Sequence, residues 1–128
     1  MILDTSAILA VLFDEPDRDD FLDKIAAAEQ IGIGAPTVVE TAIVLTGTRG
    51  DRARGQLDGF LERADAVVIS FEDVHWRRAL DAWARVGRGR HAAALNFGDC
   101  LSYAVAAVAD EPLLCKGGDF ARTDLRLA

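Results

Sequence analysis

Short apolar runs alternate along this chain with segments of helical periodicity, and that alternation leaves few folds open. Met1-Ile2-Leu3 is apolar and stops abruptly at Asp4-Thr5-Ser6, as a buried strand would. Ile8, Leu9, Leu12 and Phe13 follow at helical spacing until Asp14-Glu15-Pro16 ends the helix. A second helix carries Phe21, Leu22 and Ile25 on one face. Ile31 to Ala35 reads as a short strand, weakened by Gly32 and Gly34. Pro36-Thr37 then opens a helix through Thr46, with Val38, Val39, Ala42, Ile43 and Leu45 expected to be largely buried. Another helical stretch begins within Arg49 to Arg54 and buries Leu57, Phe60 and Leu61. Ala66 to Phe71 is rich in β-branched residues and is the clearest strand. A helix with Val74, Ala79, Leu80, Trp83 and Val86 ends at Gly87, and a basic loop, Arg88 to His91, leads to an alanine-rich helix from Asn96 through Ala109. Pro112 to Cys115 supplies a fourth strand and Leu125 to Leu127 a possible short fifth. Strands that alternate with helices require crossover connections, so the expected fold is α/β. It is one domain with a central parallel sheet of four to five short strands, covered by helices on both faces.

The bulk properties agree with one soluble domain. The chain has 128 residues, of which 51% are apolar, ample for a core. No stretch approaches the roughly 20 apolar residues that cross a bilayer, and the start shows no signal peptide, so no membrane is expected and the expected compartment is the cytoplasm. Cys100 and Cys115 are expected to be reduced thiols rather than a disulfide framework. A net charge of −7 argues against a nucleic-acid partner, because affinity for phosphates normally comes from basic surface. The charge is uneven, however. Between Arg77 and His91 lie five arginines (77, 78, 85, 88 and 90) and one acid, Asp81.

Four other acids fall where an open α/β sheet collects ligands, outside the carboxyl ends of its strands. Asp4 closes the first strand, and Glu40 lies in the first turn of the helix after the second. Asp99 lies in the first turn of the late helix, and Asp119 follows the fourth strand in Lys116-Gly117-Gly118-Asp119-Phe120. Each has an ordinary explanation. Thr37 to Glu40 and Asn96 to Asp99 have the spacing of capping boxes, and Asp119 suits a turn. Gathered on one rim, though, two carboxylates 4 Å apart repel by about 4 kcal/mol at an effective dielectric near 20. A divalent cation removes that penalty, and all-oxygen ligands favour Mg²⁺ or Mn²⁺. Such an ion also answers the charge objection, since it bridges an acidic pocket to a phosphate while rim arginines hold the flanking backbone. The chemistry this suggests is in-line attack of an activated water on phosphorus.

These residues carry a resemblance over nearly the whole chain. Leu3-Asp4-Thr5-Ser6-Ala7, Pro36-Thr37-Val38-Val39-Glu40, Gly87 to His91 leading into Leu95-Asn96-Phe97-Gly98-Asp99-Cys100, and Leu114 to Phe120 with Thr123-Asp124 together resemble PIN-domain proteins, particularly VapC-type toxins. The resemblance implies a Mg²⁺-dependent endoribonuclease, the toxin of a type II toxin–antitoxin pair. It implies that Asp4, Glu40, Asp99 and Asp119 form the acidic site. Asp4 and Asp99 would ligate the ion, Glu40 would support those ligands from behind or orient the attacking water, and Asp119 would complete the site or bind a second ion. Thr5 or Ser6 would bond a neighbouring carboxylate or the substrate phosphate, with helix N-capping as the alternative. It further implies an RNA substrate, a cognate VapB-type antitoxin and a homodimer. Arg85, Arg88 and Arg90 are candidates for guiding RNA to the site, for a solvated loop, or for a surface that contacts the antitoxin.

Other readings compete. His75 and His91 could serve as acid and base of a metal-independent ribonuclease, which would leave a cyclic phosphate. Haloacid-dehalogenase-like phosphatases need an acid at position 6, which is Ser, and receiver domains need an acid beside Asp4. A PIN-like module that binds RNA or protein without cutting is the non-enzymatic alternative.

Overall fold

The computed structural model describes all 128 residues. Its elements are β1 (Ile2–Leu3), α1 (Thr5–Leu12), α2 (Arg18–Ala27), β2 (Ile31–Gly34), α3 (Ala35–Arg49), α4 (Arg52–Arg63), β3 (Ala66–Ile69), α5 (Asp73–Val86), α6 (Phe97–Ala109) and β4 (Leu113–Leu114), followed by a 3₁₀ turn at Phe120–Arg122. The strands form one parallel sheet in the order β3-β2-β1-β4. The expected α/β architecture is therefore present with four strands. The fifth is reduced to a single bridge between Leu113 and Leu127.

Strand alternation divides the core in two. Leu3, Ile31, Ile33 and Leu114 point to the face covered by α1, α2 and α4, where they meet Ile8, Phe21, Leu57 and Phe60. Ile2 and Leu113 point to the other face, under α5 and α6, with Tyr103, Val105 and Phe120. The glycines that weakened β2 as a sequence signal have a packing role on this second face. A Cβ on Gly34 would lie 2.9 Å from Val105 of α6, and one on Gly32 would lie 2.8 Å from both Ile2 and Ile69. The bare Gly34 lets α6 sit close on the sheet, and the bare Gly32 leaves room for the Ile2 and Ile69 side chains of the two adjoining strands.

Successive crossovers carry the chain from β1 to β2 to β3 in one direction, and α5 and α6 then return it to β4 on the other side of β1. The direction of progression thus reverses between β1 and β4. That is the switch point at which open α/β sheets leave a crevice beyond the strand ends. Asp4 N–H bonds the Leu114 carbonyl at 2.9 Å, fixing the end of β1 beside the end of β4.

Helix α3 corrects one expectation. It runs three residues past Thr46, and Leu45 and Thr41 are buried, but Val39 and Ile43 are 59% and 68% exposed and Val44 is exposed beside them. The run from Val38 to Leu45 is apolar on more than one face, so one stripe meets the core and the other is left on the surface.

Candidate active site

Asp4 caps α1: its Oδ2 accepts from Ser6 N–H at 2.9 Å and from Ser6 Oγ at 2.5 Å. The side chain is only 4% exposed. Ser6 Oγ in turn accepts from Lys116 N–H at 2.9 Å, so the residue following Asp4 and Thr5 ties the start of α1 to the loop after β4.

Glu40 is reached from α3. The helix starts at Ala35, with Gly34 as its N-cap and Pro36 in its first turn, so Glu40 lies in the second turn. No capping box forms with Thr37, whose hydroxyl is buried and 3.2 Å from Ser102 Oγ. The Glu40 carboxylate instead accepts from Thr5 Oγ1 at 2.6 Å. Buried Thr41 lies behind Thr5, its hydroxyl donating to the Thr37 carbonyl at 2.8 Å and reaching Thr5 Oγ1 at 3.4 Å. On its other side Glu40 rests on Gly98, where a Cβ would come within 2.2 Å of Oε1.

Asp99 occupies the capping box that its spacing suggested. Its Oδ2 accepts from Asn96 N–H at 2.7 Å, and its own N–H donates to Asn96 Oδ1 at 3.0 Å. This ordinary structural role and a place in the acidic site coexist. Burial pushes the Asp99 carboxyl above its ordinary value, the Asn96 N–H pulls it back, and the charges of Asp4, Asp119 and Glu40 raise it further. Asp119 is exposed and begins the 3₁₀ turn, after Gly117 has reversed the loop at φ +96°, a conformation that suits glycine. The four acids therefore come from four separate elements and bear on one crevice.

Asp4, Glu40 and Asp99 share a pattern. One oxygen of each is held by a protein donor, and the other accepts no protein hydrogen bond without being sealed from solvent. No three histidine, cysteine, aspartate or glutamate side chains form a ready-made ligand cluster. Mg²⁺ does not need one, since it keeps several waters and takes one or two carboxylates, and the free oxygens of Asp4 and Asp99 fit that demand. Both cysteines are free and lie near these acids. Burial, then the charges of Asp4, Asp99 and Asp119, push the Cys115 thiol up to about 11, and burial and Asp99 do the same to Cys100. Neither is a thiolate near neutrality, so the donor set of the crevice is oxygen.

Thr5 and Ser6 thus both bond acids, and neither hydroxyl is free for a phosphate. The arginines divide. Arg85 is held by Tyr103 Oη at 2.7 Å and by Asp124 at 3.3 Å, so it anchors the C-terminal segment and does not face the crevice as a free cation. Arg77 is spent on Asp73 and the Trp76 ring, and Arg78 lies over Tyr103. Arg88 and Arg90 stay exposed on the turn after α5. His75 is buried in a capping box with Glu72, and His91 Nδ1 accepts from Ala93 N–H; their bonds lead away from the acids, unlike those of an acid–base pair.

Sequence reasoning missed Gly98, Thr41 and Lys116. Lys116 Nζ joins Glu15 at 2.5 Å and Asp17 at 2.9 Å, tying the loop that carries Asp119 to the α1–α2 turn. Gly98 did leave a signal, a glycine in the first turn of an alanine-rich helix.

No helix is long and apolar enough to cross a membrane. The family profile of the PIN domain matches residues 1–125. Ribonuclease VapC28 of Mycobacterium tuberculosis is 44% identical over 129 aligned residues, covering 100% of this chain and 97% of the relative. Among solved structures, VapC20 of M. tuberculosis, described as a toxin that cleaves the sarcin–ricin loop, superposes with a TM-score of 0.80 at 16% identity, covering 99% and 97% of the two chains. VapBC2 from Rickettsia felis, bound to a DNA fragment from its promoter, gives 0.79 at 19% identity, covering 99% and 96%. At those identities the structures speak for the fold, and the sequence relatives speak for the family. The chain belongs to the PIN-domain family and, within it, to the VapC ribonucleases.

Proposed function

We propose that this protein is a Mg²⁺-dependent endoribonuclease, the toxin of a type II toxin–antitoxin pair, acting in the cytoplasm. The observation that carries the reading is the convergence of Asp4, Glu40, Asp99 and Asp119 on the crevice beyond β1 and β4, where the charges of the other three acids add to burial in raising the Asp99 carboxyl. Asp4 and Asp99 would hold Mg²⁺, with Mn²⁺ as a substitute. When bound, the ion supplies Lewis acidity toward a phosphate oxygen and makes water a stronger acid.

The chain's own residues do the rest. Ser6 and Asn96 each fix one oxygen of an acid and leave the other turned to the crevice. Thr5 holds one oxygen of Glu40, whose second oxygen is free to accept a proton from the attacking water and aim it in line with the leaving oxygen. Asp119 completes the negative rim, and Arg88 and Arg90 offset it for an approaching RNA backbone. Hydrolysis of this kind leaves a 5′-phosphate and a 3′-hydroxyl.

The partners would be a VapB-type antitoxin and a second copy of this chain. What supports them is the exposed apolar strip Val39, Ile43 and Val44 on the helix that carries Glu40, a surface that monomers usually cover. The experiment is cleavage of total cellular RNA by purified protein with Mg²⁺ or EDTA, beside Asp4→Asn and Asp99→Asn. Magnesium-dependent fragments bearing 5′-phosphates, absent with both variants, are expected. Cyclic phosphates, or cleavage that survives in the variants, would overturn the metal-dependent reading. No cleavage in any lane would turn the assignment toward a binding module.

A further inference from the structure

Gly117 and Gly118 separate Lys116 from Asp119, and a Cβ built on either glycine would meet nothing within 4 Å. Packing therefore does not hold the loop after β4, and consecutive glycines leave its backbone the widest conformational freedom. Asp119 does not fix itself, since its side chain accepts no hydrogen bond from the 3₁₀ turn that it begins. Its place is set by whatever holds the two flanks of the loop. One flank is Phe120, 3% exposed in the core under α5 and α6. The other is Lys116.

Lys116 is tied through both its backbone and its side chain. Its N–H donates to Ser6 Oγ at 2.9 Å, and the same hydroxyl donates to Asp4 Oδ2 at 2.5 Å. Its Nζ donates to Glu15 Oε2 at 2.5 Å and lies 2.9 Å from Asp17 Oδ2. Those two acids stand on a turn with its own backbone bonds: Glu15 N–H donates to the Ala10 carbonyl at 3.0 Å, and Arg18 N–H donates to the Glu15 carbonyl at 2.9 Å. All three charged groups of the clamp are partly open to water, so the ion pairs add little to global stability. What they can decide is where a glycine-rich loop sits.

We propose that Lys116 is a positioning residue for the metal-binding acids: clamped between Glu15 and Asp17, it holds Asp119 through the loop and Asp4 through Ser6. The inference rests on the ribonuclease reading and adds to it the device that keeps two of the four acids in register. It makes a prediction opposite in sign to simple electrostatics. Taking a cation away from a negative rim should by Coulomb's law tighten the binding of another cation, whereas releasing the loop should weaken it.

The test titrates Mn²⁺ into the metal-free full chain, followed by loss of the free-ion paramagnetic resonance signal. Lys116→Met is expected to bind Mn²⁺ about 10-fold more weakly than the wild type, the scale on which partners behind metal ligands act. Glu15→Gln combined with Asp17→Asn should show the same loss, and adding Lys116→Met to that pair should cost nothing more. In EDTA, amide hydrogen exchange across residues 116–119 should quicken in all of these variants, with melting temperatures within a few degrees of the wild type. For RNA cleavage with Mg²⁺, kcat should fall about 10-fold while KM stays within about 2-fold.

Equal or tighter Mn²⁺ binding by Lys116→Met overturns the clamp, and so does unaltered exchange of the loop. A loss in Lys116→Met that the Glu15→Gln, Asp17→Asn protein does not share also overturns it, as does a raised KM with kcat intact, because Lys116 then serves the RNA directly. The two readings fail separably. If the wild type binds Mn²⁺ and cuts RNA and Lys116→Met does both equally well, only the clamp falls. If the wild type neither binds Mn²⁺ nor cuts RNA, the ribonuclease reading falls and takes the positioning role with it.

Discussion

The carboxylate of Glu40 lies directly on the Cα of Gly98, so close that a Cβ there would stand 2.2 Å from Oε1 and 2.8 Å from Cδ. Two helices distant in sequence, α3 and α6, thereby deliver Glu40 and Asp99 to the same crevice. The contact asks for glycine because of space, and the next residue of α6, Asp99, belongs to the proposed catalytic machinery.

Gly98→Ala should therefore damage activity far more than stability. The obstacle is the far end of a flexible side chain, so Glu40 can swing aside, and alanine regains about 1 kcal/mol of helix propensity. A displaced Glu40 no longer aims a water, a misplacement that costs about 100-fold. The expected outcome is a fall in kcat of about 10- to 100-fold with a melting temperature within a few degrees of wild type. A variant with full kcat would show that Glu40 is not needed where it stands.

Thr5→Val removes the hydroxyl that holds Glu40 while keeping shape. Loss of a partly buried bond to a carboxylate costs about 1–2 kcal/mol, and Glu40 loses its fixed orientation. Activity should drop, and Thr5→Ser should restore most of it, because the donor returns. If Thr5→Val and Thr5→Ser are equally active, the hydroxyl contributes packing alone.

The element order and the parallel sheet were legible because Ile2-Leu3 and Leu113-Leu114 alternate between two cores while Phe21, Ile25, Leu57 and Phe60 keep helical spacing. The places of Asp4, Asp99 and Asp119 at a strand end, a helix start and a turn were legible, whereas Glu40 lies one turn further into its helix than its spacing from Thr37 suggested. Arg85 was not, because a sequence cannot show that Asp124 and Tyr103, remote along the chain, bind it. Nor was the exposed face of α3, since Val39 and Ile43 differ from core residues only in what lies opposite them. The Thr37–Glu40 capping box failed for a local reason: Gly34 caps the helix, so the helix starts before Thr37. At Asn96–Asp99 the same spacing produced the box.

Asp99→Asn keeps an oxygen for the Asn96 N–H and removes a charge crowded by Asp4, Asp119 and Glu40. In EDTA the variant should melt higher than wild type. Adding Mg²⁺ should stabilise the wild type, by about 2.7 kcal/mol at 100-fold excess over Kd, and the variant by less than half of that. Calorimetric scans with and without Mg²⁺ measure both effects. An identical Mg²⁺ increment in the two proteins would remove Asp99 from the ion site.

Arg88 and Arg85 should part company in RNA binding. Arg88 has no acidic partner, so Arg88→Ala should lower the slope of log affinity against log salt by about one. Arg85 already neutralises Asp124. Arg85→Ala should leave the slope unchanged, while it loosens the C-terminal segment and lowers the urea midpoint. A slope that falls equally in both variants would return Arg85 to the RNA-guiding role.

The Arg85–Tyr103–Asp124 cluster should also give stability a particular acid dependence. Tyr103 Oη donates to Asp124 at 2.6 Å, and this bond, with help from Arg85, holds the Asp124 carboxyl below its ordinary value, against the opposing effect of burial. The folded protein thus binds fewer protons at this site than the unfolded chain. Its contribution is complete above the unfolded carboxylate value, about 3.9, and fades as pH falls through the lower folded value. Asp124 is 54% exposed, so solvent screening keeps the effect below about 1 kcal/mol. Asp124→Asn keeps an acceptor for Tyr103 but removes the charge. The gap in urea midpoint between wild type and Asp124→Asn should be constant from neutral pH down to about 5 and close toward about pH 3. A gap that persists unchanged into strong acid would mean that the charge of Asp124 adds nothing and the cluster acts through its hydrogen bonds alone.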